Sequence, residues 1–234
     1  MSQSPAAILR ELKKLPKKFL GQNFLVDGQV TAAMIGVAAI GPDETIVEIG
    51  PGLGALTWEM AKVAKQVLAI EADQELVNYL RLKKRRNVKI IHGDGLKVDW
   101  TIGLTGTYKI VANIPYSITS PLLRKIFLLK NPPAAVVLLV QKEVAQRLTA
   151  PEGSSERGFL TILTEANAQV KKIRSVYPGS FYPRPRTDSA VISLNLLARS
   201  QAKRIFWPAV EAGFRHKRQT LVNSLVRDLK IPKK

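Results

Sequence analysis

From Thr45 onward the chain repeats one pattern: a short apolar run, a few turn residues, then a stretch with helical periodicity. Residues 45–49, 67–70, 88–91, 108–112 and 134–140 are apolar runs of strand length, and residues 55–64, 74–84 and 120–129 carry the 3.6-residue spacing of amphipathic helices. Strands alternating with helices predict a parallel sheet covered on both faces, since runs apolar at every position suit strands with no wet side. After Gln141 the signal weakens. Residues 143–148 read as helix, Ala150-Pro151-Glu152-Gly153-Ser154-Ser155 as a loop, and residues 190–196 as a strand near the sheet edge. From about Ala202 the pattern is helical and basic, with Phe206, Trp207, Val210 and Phe214 at helical spacing. The pattern predicts an α/β domain over residues 1–198 with a small, short helical subdomain over 199–234.

Composition changes the picture in two ways. Thirty-six Lys and Arg against eighteen Asp and Glu leave a net charge of +18, the signature of a domain that meets a polyanion, because neutralising phosphates releases their counterions. There is no cysteine, which excludes disulfides and thiolate metal ligands and suits a reducing compartment. The first twenty residues are interrupted by Lys13, Lys14, Lys17 and Lys18 and lack the continuous apolar stretch of a secretory signal. No window approaches the ~20 apolar residues of a membrane span. A cytoplasmic protein without membrane attachment is the expectation.

Candidate chemistry gathers at the carboxyl ends of the predicted strands. Gly50-Pro51-Gly52-Leu53-Gly54 follows the first run, preceded by Glu48, and glycines in such a turn let backbone approach a ligand closely. The third glycine comes one residue earlier than in a pyrophosphate-cradling dinucleotide fingerprint, which suits a nucleoside ligand without phosphates such as S-adenosylmethionine; a merely tight turn reads the same way. Glu71 ends the second run, where a carboxylate can accept from both ribose hydroxyls, and Asp94 ends the third, where it can accept from the adenine amine of the cofactor. Either acid alone is also what a solvated strand end looks like. Together with the glycines they converge on one crevice.

Asn113-Ile114-Pro115-Tyr116 follows the fourth run at the same edge. An adenine amine is a poor nucleophile because its lone pair is delocalised into the ring. The side-chain oxygen of Asn113 and the backbone oxygen of Ile114 can accept its two N–H bonds and turn the lone pair toward a sulfonium methyl. Pro115 stiffens the turn and removes a donor. Tyr116 can stack on a base that has left its own stack. No metal is needed, because the leaving group is already good. Phe181 offers an opposite face for an aromatic sandwich, and equally reads as a core aromatic. Neither His92 nor His216 has a partner that suggests catalysis.

Five ordered motifs resemble the ribosomal RNA adenine dimethyltransferase family, in the branch that modifies two adjacent adenosines near the 3′ end of small-subunit rRNA. They are Gly21-Gln22-Asn23-Phe24-Leu25, Glu48-Ile49 with the glycine loop, Asn113-Ile114-Pro115-Tyr116, Gln141-Lys142-Glu143-Val144 with Arg147-Leu148, and Phe181-Tyr182-Pro183-Arg184-Pro185 with Asp188-Ser189-Ala190-Val191. The similarity runs over nearly the whole chain from Lys17. It implies a Rossmann-like class I S-adenosylmethionine-dependent methyltransferase sheet, with Asn23, Leu25, Gly50, Gly52, Glu71, Asp94 and Asn113 on the cofactor. It further implies that Asn113, Tyr116 and Phe181 hold the target adenine, that each of two adenines receives two methyl groups, and that the partner is ribosomal RNA of the small subunit or its precursor. Two departures stand out. Ile114 occupies a position where that branch more often has Leu, and the stretch after the last predicted strand is shorter than the family's helical C-terminal domain.

Among the basic runs, Arg81 to Arg86 reads as a solvated helix face, whereas Arg184, Arg186, Arg215, Lys217 and Arg218 flank the expected pocket and are candidates for phosphate contacts. A monomer is expected. The rival readings are a large-subunit rRNA adenine methyltransferase of the macrolide-resistance type, a non-catalytic RNA-binding or transcription-related factor on the same fold, and methylation of DNA adenine or protein glutamine, which uses similar turns.

Overall fold

The computed structural model describes residues 4–17, 20–83, 85–104, 106–197, 203–216 and 219–230, with the side chains of residues 203–207 left aside. In chain order the first elements are α1 (Pro5–Glu11), β1 (Phe24–Leu25), α2 (Gly28–Ala38), β2 (Thr45–Ile49), α3 (Ala55–Met60), β3 (Gln66–Glu71), α4 (Gln74–Leu82), β4 (Val88–His92) and β5 (Tyr108–Asn113). They are followed by α5 (Thr119–Leu128), β6 (Ala135–Gln141), α6 (Lys142–Leu148), α7 (Phe159–Glu165), β7 (Ala168–Val176), β8 (Phe181–Tyr182), β9 (Ser189–Leu196), α8 (Lys203–Arg215) and α9 (Leu221–Leu229).

The main sheet has the order β4-β3-β2-β5-β6-β9-β7. Strands β4, β3, β2, β5 and β6 run parallel, and β9 and β7 are antiparallel to their neighbours. Side chains alternate between its faces. Val47, Ile49, Ile110, Ala112, Leu138 and Ile192 pack with Leu122, Leu123 and Ile126 of α5 and with α6 and α7. Ile46, Val67, Val111, Val137, Leu139 and Val191 face Val30 and Met34 of α2 and Leu56 and Met60 of α3. Strand order reverses between β2 and β5, so the carboxyl ends of β2 to β5 open a crevice, the place where open α/β sheets bind ligands.

The five predicted parallel strands are present to within a residue at each end. The strand expected over 190–196 near the sheet edge is β9, one place in from the edge. It lies between β6 and β7, and all but three of its residues are buried. The edge is β7, which the hydrophobic pattern missed because Gln169, Lys171, Lys172 and Arg174 interrupt it. Charged side chains are what an exposed edge needs to avoid pairing with another chain. Helix α2 was missed for the opposite reason: it is apolar nearly all round and shows no amphipathic stripe, although Asp27 caps its start by accepting from the amides of Gln29 and Val30. Helix α3 stops at Met60, short of the expected residue 64, with the amides of Lys62 and Val63 bonding back three residues to Glu59 and Met60. The expected helical C-terminal segment appears as α8 and α9, tied together by Arg215 and His216 on Asp228 at 3.2 and 3.0 Å. The boundary at residues 198/199, the side chains of Phe206 and Trp207, and the basic residues Lys217 and Arg218 lie outside the described residues. Among the described residues no helix is long and apolar enough to cross a membrane.

Candidate active site

The crevice encloses about 280 Å³, walled by the glycine loop, the ends of β3 and β4, the Asn113–Tyr116 turn and residues 20–25. Each wall follows from a local constraint. Gly50, Gly52 and Gly54 all have positive φ (+71°, +59° and +88°), which turns the chain sharply from β2 into α3. A Cβ on Gly52 would stand 3.0 Å from the Phe24 ring, so the loop reaches its place under residues 20–25 only without a side chain there.

Glu71 anchors this arrangement. Its Oε2 accepts from the Gly52 N–H at 3.0 Å and its Oε1 from the Asp73 N–H at 2.9 Å, one bond to the glycine loop and one to the start of α4. Each oxygen keeps a lone pair for a ligand hydroxyl. Burial pushes its carboxyl above the usual range, and the backbone donors pull against that. Glu48, one strand over, is fully buried. Desolvation drives its carboxyl up to about 8 against the hydrogen bond from Thr57 Oγ1 at 2.6 Å, so at neutral pH it is chiefly a neutral acid. Asp94 accepts from the Leu96 N–H at 2.8 Å through Oδ1. Its loop is pinned by Lys125, whose ammonium donates to the carbonyls of Gly95, Leu96 and Val98 at 3.1, 3.0 and 2.5 Å.

The turn after β5 is held from both sides. Asn113 Nδ2 donates to the Asn23 carbonyl at 3.1 Å. A carbonyl only accepts, so this bond orients the amide and leaves Oδ1 as its other polar atom at the cavity wall. Gly21, with φ +63°, passes so close to Pro115 that a Cβ would lie 3.2 Å from the proline Cβ. Tyr116 shares a 2.7 Å hydrogen bond with Ser189 Oγ at the start of β9, and burial raises its phenol, which stays neutral.

Residues 20–25 are themselves clamped by a cluster the sequence did not reveal. Asp73, buried, receives the Lys14 ammonium at 2.6 Å, Lys17 at 3.2 Å and Gln22 Nε2 at 3.0 Å. Gln22 Oε1 also accepts from the Lys17 N–H at 2.8 Å. Burial would raise the Asp73 carboxyl, but these donors outweigh it and hold it at about 2. The available signal was positional: Asp73 immediately precedes a predicted helix and caps it through the Glu75 amide.

Asn23, Leu25, Gly50, Gly52, Glu71, Asp94, Asn113 and Tyr116 therefore all line one cavity. Phe181 does not. The expected sandwich face is corrected to a core aromatic, 3% exposed, packed with Leu25, Val30 and Val176. Strand β8 pairs with β1, setting Phe181 opposite Leu25, so its ring supports the cavity from behind. Arg184 and Arg186 are exposed and carry no ion pair among the described residues. Arg215 instead meets Glu211 at 3.5 Å and Asp228 at 3.2 Å.

The residues present fit S-adenosylmethionine. A glycine turn admits close approach, Glu71 stands where a ribose diol would donate, Asp94 where an adenine amine would, and Ile49, Leu76, Leu96 and Ile118 supply apolar walls for the ring.

Comparison with known proteins agrees with this geometry. A model of the family described as ribosomal RNA adenine dimethylase matches residues 13–232. The chain is 40% identical to ribosomal RNA small subunit methyltransferase A of Moorella thermoacetica, over 94% of this chain and 82% of that one. It is also 40% identical to the protein of the same name from Clostridium botulinum, over 92% and 81%. Among solved structures, a dimethyladenosine transferase from Plasmodium falciparum superposes with a TM-score of 0.76 at 28% identity, over 88% of this chain and 76% of that one. The 23S rRNA methyltransferase ErmE gives 0.72 at 28%, over 88% and 84%.

Two outcomes are expected. Asp73→Ala leaves the buried Lys14 ammonium with only the exposed Glu75 carboxylate and frees Gln22 and Lys17, a loss of about 1–3 kcal/mol by urea denaturation, and speeds hydrogen exchange at the amides of residues 20–25; unchanged exchange there contradicts the clamp. Because Glu48 holds its proton up to about 8 in the fold but only to 4.5 when unfolded, its penalty is absent below 4.5, grows as pH rises to about 8 and is constant above. Glu48→Gln should therefore be more stable than the parent at pH 8 by a few kcal/mol and nearly equal to it at pH 4.5.

Proposed function

The chain belongs to the ribosomal RNA adenine dimethylase family and is an S-adenosylmethionine-dependent methyltransferase of small-subunit ribosomal RNA; on that premise we propose that its crevice delivers two methyl groups to the N6 amine of each of two adjacent adenosines near the 3′ end of that RNA. The observation that carries the reading is the Asn113 amide, oriented by the Asn23 carbonyl at 3.1 Å and placed at the wall it shares with the glycine loop and Glu71. The small-subunit assignment rests on the relatives at 40% identity, which bear that name over most of their length.

Bound S-adenosylmethionine supplies an electrophilic methyl on a sulfonium sulfur. The chain does the positioning. Asn113 Oδ1 and the Ile114 carbonyl accept the two N–H bonds of the amine, and Tyr116, braced by Ser189, offers a ring to the base. Pro115 brings no competing N–H to the turn. Asn23, Leu25, Gly50, Gly52, Glu71 and Asp94 hold the cofactor. The amine proton leaves to solvent. Positioning is a large effect by itself, since oriented reactants save ~7–11 kcal/mol of barrier. With Phe181 in the core, Tyr116 is the aromatic that meets the base. Arg184 and Arg186 follow β8, which pairs with β1, and serve the RNA backbone, with Lys217 and Arg218 as further candidates. Helices α8 and α9 complete the docking surface of a monomer acting in the cytoplasm.

Incubation with labelled cofactor and purified rRNAs tests the reading: dimethyladenosine should form in small-subunit RNA, and label confined to large-subunit RNA overturns it. Asn113→Ala should lower turnover at least ~10²-fold while RNA affinity stays near normal; near-normal turnover removes the turn from the mechanism. Glu71→Ala should weaken the cofactor by about 1–3 kcal/mol. In the parent, calorimetry should find affinity falling with pH as the raised Glu71 carboxyl takes up its proton, above the usual glutamate range, since only the ionised form accepts at both oxygens.

A further inference from the structure

Outside the crevice, on the flank formed by α3, α4 and β4, lies a cleft of about 510 Å³ that the methyl-transfer site does not use. Its floor is apolar, with Val88 and Ile90 of β4 beside the half-buried indole of Trp58. Its rim carries three guanidinium groups, Arg81, Arg85 and Arg86, all exposed and without an ion pair among the described residues. Arg81 Nη2 donates to the Ile90 carbonyl at 3.3 Å, which lays that side chain across the cleft. Arg85 and Arg86 stand at the turn entering β4, closed by the Val88 amide on the Arg85 carbonyl at 3.1 Å. Among the described residues no carboxylate lines the cleft, and the nearby Glu59 is paired with Lys62 at 2.6 Å.

The sequence reading took Arg81 to Arg86 as a solvated helix face. In the fold these three arginines line one cleft together with an indole, which a merely solvated face does not require. We propose that this cleft is a second RNA site, which takes an unstacked nucleotide of ribosomal RNA with its base on Trp58 and its flanking phosphates on Arg81, Arg85 and Arg86. The proposal rests on ribosomal RNA being the substrate. Guanidinium forks match phosphate oxygens two at a time, and a base stacks on an indole whatever its identity, so the site would hold RNA without reading its sequence. The rim's charge suits a polyanion, and the planar floor favours a nucleotide over an acidic peptide.

The cleft is separate from the cofactor site yet joined to it. Strand β4 runs from Val88 in the cleft to His92, two residues before Asp94 of the crevice. A Cβ on Gly54 would fall 2.2 Å from Trp58 Nε1, so the indole leans on the last glycine of the cofactor loop. An RNA held at both places is anchored at two points, which raises its effective concentration at the crevice.

The triple variant Arg81→Ser, Arg85→Ser, Arg86→Ser tests this in the full chain, with two substrates: small-subunit particles, and a short hairpin bearing two adjacent adenosines that cannot span both sites. For particles, KM should rise about tenfold at 0.1 M salt and the slope of log affinity against log salt should flatten by about 2, since each lost phosphate contact removes ~0.7–0.9. Turnover of the hairpin should not change. Oligouridylate should shield the three arginines from phenylglyoxal where hexaglutamate does not. Unchanged particle KM and salt slope, loss of hairpin turnover, or shielding by the peptide equal to that by RNA overturns the proposal. Methylation of the hairpin by the parent stands or falls independently and reports on the crevice alone.

Discussion

One buried carboxylate organises the crevice. Glu71 accepts the Gly52 amide with one oxygen and the Asp73 amide with the other, which fixes the end of β2 against the end of β3 and the start of α4. From Asp73 the connection continues to Lys14, Lys17 and Gln22, and so to the segment that covers the glycine loop and leans on the Asn113–Tyr116 turn. Three pieces of chain remote in sequence meet because backbone donors and an ammonium need acceptors away from water. An unmet buried polar group costs more than a made hydrogen bond gains, so the arrangement is all or none.

The electrostatics of the molecule change sign between surface and crevice. A chain of net charge +18 surrounds a cavity with Glu48, Glu71 and Asp94 in its wall and Asp73 just beneath. Each sign has its own ligand: exposed Lys and Arg suit phosphates, and acidic acceptors in the wall suit the hydroxyls and amine of a nucleoside cofactor. The acids are kept at different protonation states by what touches them. Asp73 is ionised by Lys14, Lys17 and Gln22, whereas Glu48, with one hydroxyl donor, is neutral near pH 7. Separate states relieve the repulsion that carboxylates in one small volume would otherwise impose.

Most of the site was legible in the sequence because its residues lie at strand ends, and strand ends in a parallel sheet all arrive at one edge. The glycine loop, Glu71, Asp94 and Asn113 needed only the order of strands to be gathered. Phe181 misled for a physical reason: an aromatic in a signature segment gives no sign of which way its ring turns, and pairing of β8 with β1 turned it inward beside Leu25. Strand β7 escaped because the charges that protect an edge erase the pattern by which strands are found. Helix α2 escaped because its exposed face carries Ala32 and Gly36 rather than charged residues, so the sequence shows no polar stripe opposite Val30 and Met34.

The sequence by itself determined the local conformations and chemistries: where parallel strands must run, where glycine alone can turn, which side chains can accept from a nucleoside, and that the surface is made for a polyanion. These depend on residue type and short-range periodicity. Only the tertiary structure decided which distant groups share one proton, one carbonyl or one cleft: Lys14 on Asp73, Asn113 on Asn23, Tyr116 on Ser189, and three arginines lining one cleft with Trp58. Such pairings depend on the path of the chain through space, and no local pattern encodes the distance between residues that far apart.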